Sequence, residues 1–156
     1  MGRSVRGNGS TLIVVSEAQG LPIAFLLEAA NTHESQLARD VLALVKIPRP
    51  HLGQAKTRIL NLAMDRAFDA ISLRRDLRER GIKTSIPERR RRGQRRQRGP
   101  KPKLYEVSKR RYKVERIKAW MDNFCSLIVR YERKASHYLA YCTLAAILFC
   151  LRRLLD

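Results

Sequence analysis

Two carboxylates on either side of an almost purely basic stretch are the residues of this chain best suited to chemistry. Asp65 closes the apolar run Ile59-Leu60-Asn61-Leu62-Ala63-Met64, and Glu115 lies in Tyr112-Lys113-Val114-Glu115-Arg116, beyond the run Glu88 to Arg96. Oxygen donors at the end of a strand and on a following helix suit a hard divalent cation. In a chain built to attract phosphates, that is how a metal-dependent site for cutting DNA would be arranged. Plainer roles stand beside this one. An Asp after a strand often serves as a turn or cap residue, and a helical Glu often pairs with a cation one turn away, here Arg111.

The elements that must position these groups have to fit in 156 residues. That length predicts one domain spanning 1–156 with a modest core, since ~100 to 200 residues per domain is usual. Lys and Arg number 33 against 14 Asp and Glu, a net charge of +19. This lopsidedness calls for a polyanionic partner, because each phosphate neutralised releases a condensed counterion. A membrane surface fits less well: the charge is concentrated in a Gly-, Pro- and Gln-containing segment without apolar anchors.

The three cysteines, Cys125, Cys142 and Cys150, are odd in number and widely spaced in apolar helical contexts. They read as buried thiols of a reducing cytoplasm, without a disulfide framework or a zinc spacing. The N-terminal Met1 to Gly9 has no apolar stretch after its charges, so it does not read as a signal peptide, and Arg6 stands where a myristoylation signal needs Ser or Thr. Tyr138 to Leu151 is strongly apolar but shorter than the ~20 residues a membrane span requires, which favours a buried core helix.

Strand and helix signals alternate along the chain. Thr11 to Val15 and Leu21 to Leu27 form a predicted hairpin, with Gly20 supplying a positive φ in its turn. Asn31 can cap a helix over Ser35 to Val45, with Glu34 three residues on and Leu37, Val41, Leu44 and Val45 on one face. His33 reads as a helix-start residue. Arg58 to Met64 is a third strand, apolar enough to be buried on both faces. Ile71 to Arg80 is an amphipathic helix capped by Asp69 and stopped by Gly81, with Leu73 and Leu77 toward the core. Lys83 to Ile86 is a short fourth strand.

From Pro87 to Lys103 there is hardly an apolar side chain, so nothing offsets the entropy of ordering the segment, and a flexible basic loop is expected at 87–106. Its nine cations, Arg89, Arg90, Arg91, Arg92, Arg95, Arg96, Arg98, Lys101 and Lys103, predict affinity for DNA. A helix from Ser108 to Tyr131, with Trp120, Phe124, Leu127 and Ile128 as core anchors, and a last helix from Ser136 to Leu154 complete an α/β chain.

In order along the chain stand Gly20-Leu21-Pro22-Ile23-Ala24-Phe25, Asn31-Thr32-His33-Glu34-Ser35, Met64-Asp65-Arg66-Ala67-Phe68-Asp69 and Leu77-Arg78-Glu79-Arg80-Gly81-Ile82 with Ile86-Pro87. Val114-Glu115-Arg116-Ile117-Lys118-Ala119-Trp120 follows, then Asn123-Phe124 and Val129-Arg130-Tyr131-Glu132-Arg133. Together they resemble the catalytic core of bacterial DDE transposases of the insertion-sequence-five group. The resemblance implies a ribonuclease-H-like mixed sheet flanked by helices, in which three carboxylates hold two Mg2+ ions. It further implies double-stranded DNA, both transposon ends and target, as substrate. Asp65 matches the second acidic position, Glu115 the third and Arg111 a supporting position. Ser108 stands where the family often has Tyr, and Asp122 where some members have Lys.

By the same resemblance, the first acidic residue belongs to a central strand preceding the hairpin, and this chain begins after it. Ser16 and Glu17 do not replace it. The expectation is therefore a catalytic core lacking its first, central strand, deficient in catalysis alone and either a remnant or the partner of an upstream half. A homodimer is implied only because transposition pairs two ends. The competing reading is a small basic RNA-binding or ribosome-associated protein, for which this size and charge are ordinary.

Overall fold

The structure is a computed structural model that describes residues 2–4, 7–49, 51, 53–89, 109 and 111–155. Its spine is an antiparallel hairpin of β2 (Gly7–Ser16) and β3 (Pro22–Ala29), extended by the short β1 (Gly2–Ser4) on β2. The register pairs Ile13 with Leu26 and Val15 with Ala24, while the intervening pairs are Leu12 with Leu27 and Val14 with Phe25. Because side chains alternate across a strand, the two sets face opposite ways, and both faces are apolar. The hairpin is therefore covered on both sides. Gly20 closes its turn at φ +94°, as expected.

One side is covered by α1 (Glu34–Ala43), α2 (Ile71–Glu79) and the parallel pair β4 (Asn61–Ala63) and β5 (Lys83–Ser85). Ile13, Val15 and Ile23 pack here against Val41, Leu42, Val45, Met64, Leu73 and Leu77. Leu73 and Leu77 are almost fully buried, and Gly81 ends the helix region at φ +70°, as their spacing predicts. The other side is covered by α3 (Tyr112–Met121), the single turn α4 (Cys125–Ile128) and the long α5 (Ala135–Leu155). Leu12, Val14, Leu21 and Phe25 pack here against Ile117, Met121, Leu127, Cys142, Ala145 and Phe149. Trp120 joins them edge-on to Phe124 and Phe149, with ring centroids 4.9 and 5.2 Å away, so it is a core residue.

Several local expectations are corrected. α1 is capped by His33, not Asn31: His33 Nδ1 accepts the Ser35 backbone N–H. Leu44 is exposed, and Ala38 and Leu42 complete the buried stripe instead. The strand expected over Arg58 to Met64 pairs only at Asn61–Ala63, and Leu60 is exposed, because β5 covers one edge and no second strand lies on the other among the described residues. Asp69 does not cap α2; Ala70 holds that position without a side-chain bond, and Asp69 instead takes Arg74 in an ion pair of 2.7 Å.

The single helix expected from Ser108 to Tyr131 breaks after Met121. Ile128, on the separate turn α4, is 60% exposed. Arg130 ties the following segment back to β2: its Nη1 donates to Ser10 Oγ, and its guanidinium lies 5.0 Å over the Tyr138 ring. Of the three thiols only Cys142 is fully buried, while Cys125 is exposed.

α5 is longer than expected, 21 residues, and long and apolar enough to cross a membrane by length and composition alone. One face is core, through Cys142, Ala145, Ala146 and Phe149, but Leu144, Ile147, Leu148 and Leu151 point outward at about half exposure. The reading of a fully buried core helix holds for one face only.

Parallel and antiparallel pairing both occur, but in two separate sheets. From Ser10 to Ser16, β2 pairs with β3 alone among the described residues. The basic loop expected at 87–106 lies, from residue 90 onward, outside the described residues.

Candidate metal and DNA site

Asp65 is carried on the exit of β4. It is placed by a 3-10 turn, Arg66–Phe68, that it caps itself, the Arg66 backbone N–H donating to its Oδ1 at 2.7 Å. β4 brings the chain up from the core at the buried Met64, whose N–H donates to Ser85 O at 3.1 Å, so the strand end is fixed while the next residue emerges into solvent. The Asp65 side chain is 66% exposed. The turn-capping role raised for Asp65 is therefore real, and it engages only one of the two carboxylate oxygens.

Glu115 comes from the opposite layer, in the first turn of α3. Two contacts dock that turn. Arg111, whose backbone is already helical, sets its Nη1 3.3 Å from Asp65 Oδ1. Lys113 Nζ donates to Ala18 O at 2.6 Å, and a Cβ at Gly20 would lie only 3.1 Å from that of Lys113. Arg111 therefore pairs with Asp65 and not with Glu115, which corrects the pairing weighed for a helical Glu. Four residues of helix advance about 6 Å, so the backbone of the exposed Glu115 lies one helical turn beyond that of Arg111.

The arrangement supplies two exposed carboxylates from different layers, with Arg111, one helical turn before Glu115, in contact with Asp65. Mg2+ commonly keeps several waters and takes one or two carboxylates plus substrate phosphates, so the donor set fits such an ion. No group of three or more His, Cys, Asp or Glu that could hold a metal occurs among the described residues. Of the cations expected to bind DNA, only Arg89 is described; Arg90, Arg91, Arg92, Arg95, Arg96, Arg98, Lys101 and Lys103 lie outside the described residues. Arg89 is held near the Asp65 turn: its backbone N–H donates to Asp69 Oδ2, and Arg74, paired with Asp69, donates to Ile86 O at 2.9 Å.

Sequence reasoning missed Lys113, Arg66 and the anchoring role of Asp69. Lys113 carried a faint signal, a lone Lys two residues before Glu115. What it reaches, a carbonyl 95 residues earlier, is set by the tertiary fold alone.

The mixed α/β fold, the exposed carboxylates on two layers and the net charge of +19 define a basic α/β protein suited to a polyanionic partner. Residues 5–150 match the family model described as Transposase DDE domain, and the chain belongs to that family. It is 31% identical over 142 residues to a protein of Burkholderia cepacia assigned as a transposase for insertion sequence element IS402. That match covers 91% of this chain and 63% of the relative. No solved structure matches significantly. The RNA-binding or ribosome-associated alternative finds no support in these matches.

Proposed function

We propose that this chain carries the DNA-processing region of an insertion-sequence transposase, with Asp65 and Glu115 as two acidic ligands of a divalent cation, Mg2+ by donor type, and Arg111 as their positioning partner. The observation that carries this reading is the Arg111–Asp65 contact, which ties the Glu115 helix to the Asp65 turn from across the molecule. Bound there, the metal would supply charge stabilisation at a phosphodiester. In this reading the chain's own residues orient the two carboxylates, and Arg111 holds positive charge beside Asp65 Oδ1, while the other oxygen has no partner among the described residues and is open to a metal.

The fold proposed is ribonuclease-H-like with its sheet incomplete. Separate antiparallel and parallel sheets, with Ser10–Ser16 of β2 paired to β3 alone and β4 to β5 alone among the described residues, support that reading. The basic segment from Arg89 to Lys103 is proposed to lie along duplex DNA. An upstream half or a second copy is the proposed source of what completes the site. With Asp65 and Glu115 as its two acidic ligands, the purified chain is expected to bind duplex DNA and divalent metal and to cleave poorly.

The test is a cleavage and strand-transfer assay with terminal-repeat DNA and Mg2+. Weak cleavage with tight DNA binding is expected. Robust cleavage abolished by Asp65→Ala would overturn the deficiency and keep the site; cleavage unaffected by Asp65→Ala would overturn the site.

A further inference from the structure

Beside the Asp65 turn lies a surface cleft of about 300 Å3, lined by His33, Glu34, Arg66, Ala67 and Arg89. Its walls come from three separate parts of the chain: the start of α1, the 3-10 turn after Asp65 and the segment leaving β5. We propose that this cleft is a phosphate-binding site that receives a backbone phosphodiester of the DNA engaged at Asp65. The proposal rests on the reading of the chain as DNA-processing but not on metal binding by the two carboxylates.

Three features prepare the cleft for an anion. The first is the donor set. Arg66 and Arg89 supply two permanent cations with planar forks of N–H donors, the geometry best matched to phosphate oxygens. The second is the tautomer of His33. Its Nδ1 accepts the Ser35 backbone N–H at 3.2 Å and lies 2.7 Å from Ser35 Oγ. In a neutral ring an accepting Nδ1 leaves the proton on Nε2, so the other edge of the imidazole is a hydrogen-bond donor. The capping bond that starts α1 thereby also fixes which nitrogen can donate.

The third feature is rigidity. Arg66 follows Asp65, whose carboxylate holds the Arg66 N–H. Arg89 is fixed through its own backbone N–H to Asp69, which also binds Arg74, itself bonded to Ile86 O. Asp69 thus ties the first cation of the basic stretch to the turn that carries the acidic ligand. A phosphate held here would set how far along the duplex the scissile bond lies from the basic segment, which positions without reading bases.

Glu34 in the wall opposes this, and its presence makes the proposal sharper. Removing a negative charge from a site that binds an anion should tighten it, whereas a merely structural Glu34 would leave affinity unchanged.

Two probes decide the matter on the full chain, a fluorescent 30-base-pair duplex across a KCl series and inorganic phosphate followed by side-chain NMR. Each phosphate contact adds about 0.9 to the slope of log affinity against log salt, so Arg66→Gln with Arg89→Gln, which empties the cleft of its one phosphate, should lower that slope by about one. The control, Arg75→Gln with Arg78→Gln on the exposed side of α2, should leave it unchanged. His33→Asn keeps a competent cap while removing the Nε2 donor. It should weaken binding severalfold without lowering the melting temperature, and Glu34→Gln should strengthen it.

Phosphate should shift the His33 ring resonances saturably in the wild type and not in the double variant. Equal slope losses in both arginine pairs, or no loss in either, would overturn the proposal. A saturable phosphate shift with an unchanged DNA slope would leave a free-anion site and overturn the DNA assignment. Mn2+ binding should be the same in the wild type and the Arg66/Arg89 variant. Loss of Mn2+ binding in the wild type would count against the acidic pair and not against the cleft.

Discussion

The two layers that sandwich the hairpin are built to different degrees of completion. The α1–α2 layer buries its apolar stripe against the hairpin and leaves only scattered apolar side chains exposed, Leu44, Leu60 and Ile71 among them, with Arg39 paired to Asp76 across the two helices. The α3–α5 layer buries Ile117, Cys142 and Phe149 but presents a second apolar face along α5. An amphipathic helix needs one apolar face to fold against a sheet. The first layer has what its own stability needs, whereas the outer face of α5 is in excess of it. The candidate site lies at the seam, with Asp65 from the first layer and Glu115 from the second, and two contacts made by the first turn of α3 hold the seam together.

The largest expected effects test whether each layer is a true core. Leu77→Ala in the first layer and Phe149→Ala in the second should each cost about 2 to 5 kcal/mol in denaturant unfolding, since both leave a cavity among packed neighbours. Leu148→Gln, on the outer face of α5, should change stability by about 0.5 kcal/mol or less. A large loss there would mean that this face is covered in solution and the contrast between layers is false.

The seam comes next in size. Gly20→Ala must place a Cβ against Lys113 at a positive φ, for a cost of about 1 to 2 kcal/mol. Lys113→Met removes an exposed hydrogen bond and should cost less in stability. Its clearer expected effect is on cation binding by the acidic pair, because α3 loses one of its two tethers. Unchanged divalent-cation affinity in Lys113→Met would show that the Arg111 contact alone fixes Glu115.

These seam residues also show where the sequence was and was not legible. The hairpin turn at Gly20, the buried Leu73 and Leu77 and the stop at Gly81 follow from local rules, namely a positive φ and a helical apolar repeat, and they stand as read. The caps were misassigned because Asn31, His33 and Asp69 all have the right chemistry for a cap, and only the path of the backbone decides among them. Ile128 and Leu44 looked like core because periodicity shows which residues share a face, not whether that face is covered. Asp65 and Glu115 were singled out by type and motif context. Arg111 and Lys113, which hold their elements together, act over separations of 46 and 95 residues that no local pattern encodes.

A smaller effect separates the thiols of the second layer. Burial pushes the Cys142 thiol up to about 11, with the Tyr138 hydrogen bond opposing weakly, while Cys125 is exposed. In the unfolded chain the thiol ionises near its ordinary value of about 8.5. The stabilisation from keeping Cys142 neutral is therefore complete below that pH and is lost as pH rises toward 11. Thermal melts from pH 8 to 11 should fall more steeply for the wild type than for Cys142→Ala. At pH 8 iodoacetamide should modify Cys125 first, and rapid modification of Cys142 would show that the second layer opens readily.

The most direct measurement is paramagnetic broadening of backbone amide signals by Mn2+ in the intact chain. A shared ion should broaden residues 65–67 and 114–117 at the same low Mn2+ concentration, and either Asp65→Asn or Glu115→Gln should relieve both sets together. Broadening confined to one of the two segments, or persisting in both variants, would contradict the claim that the two layers meet to hold one cation.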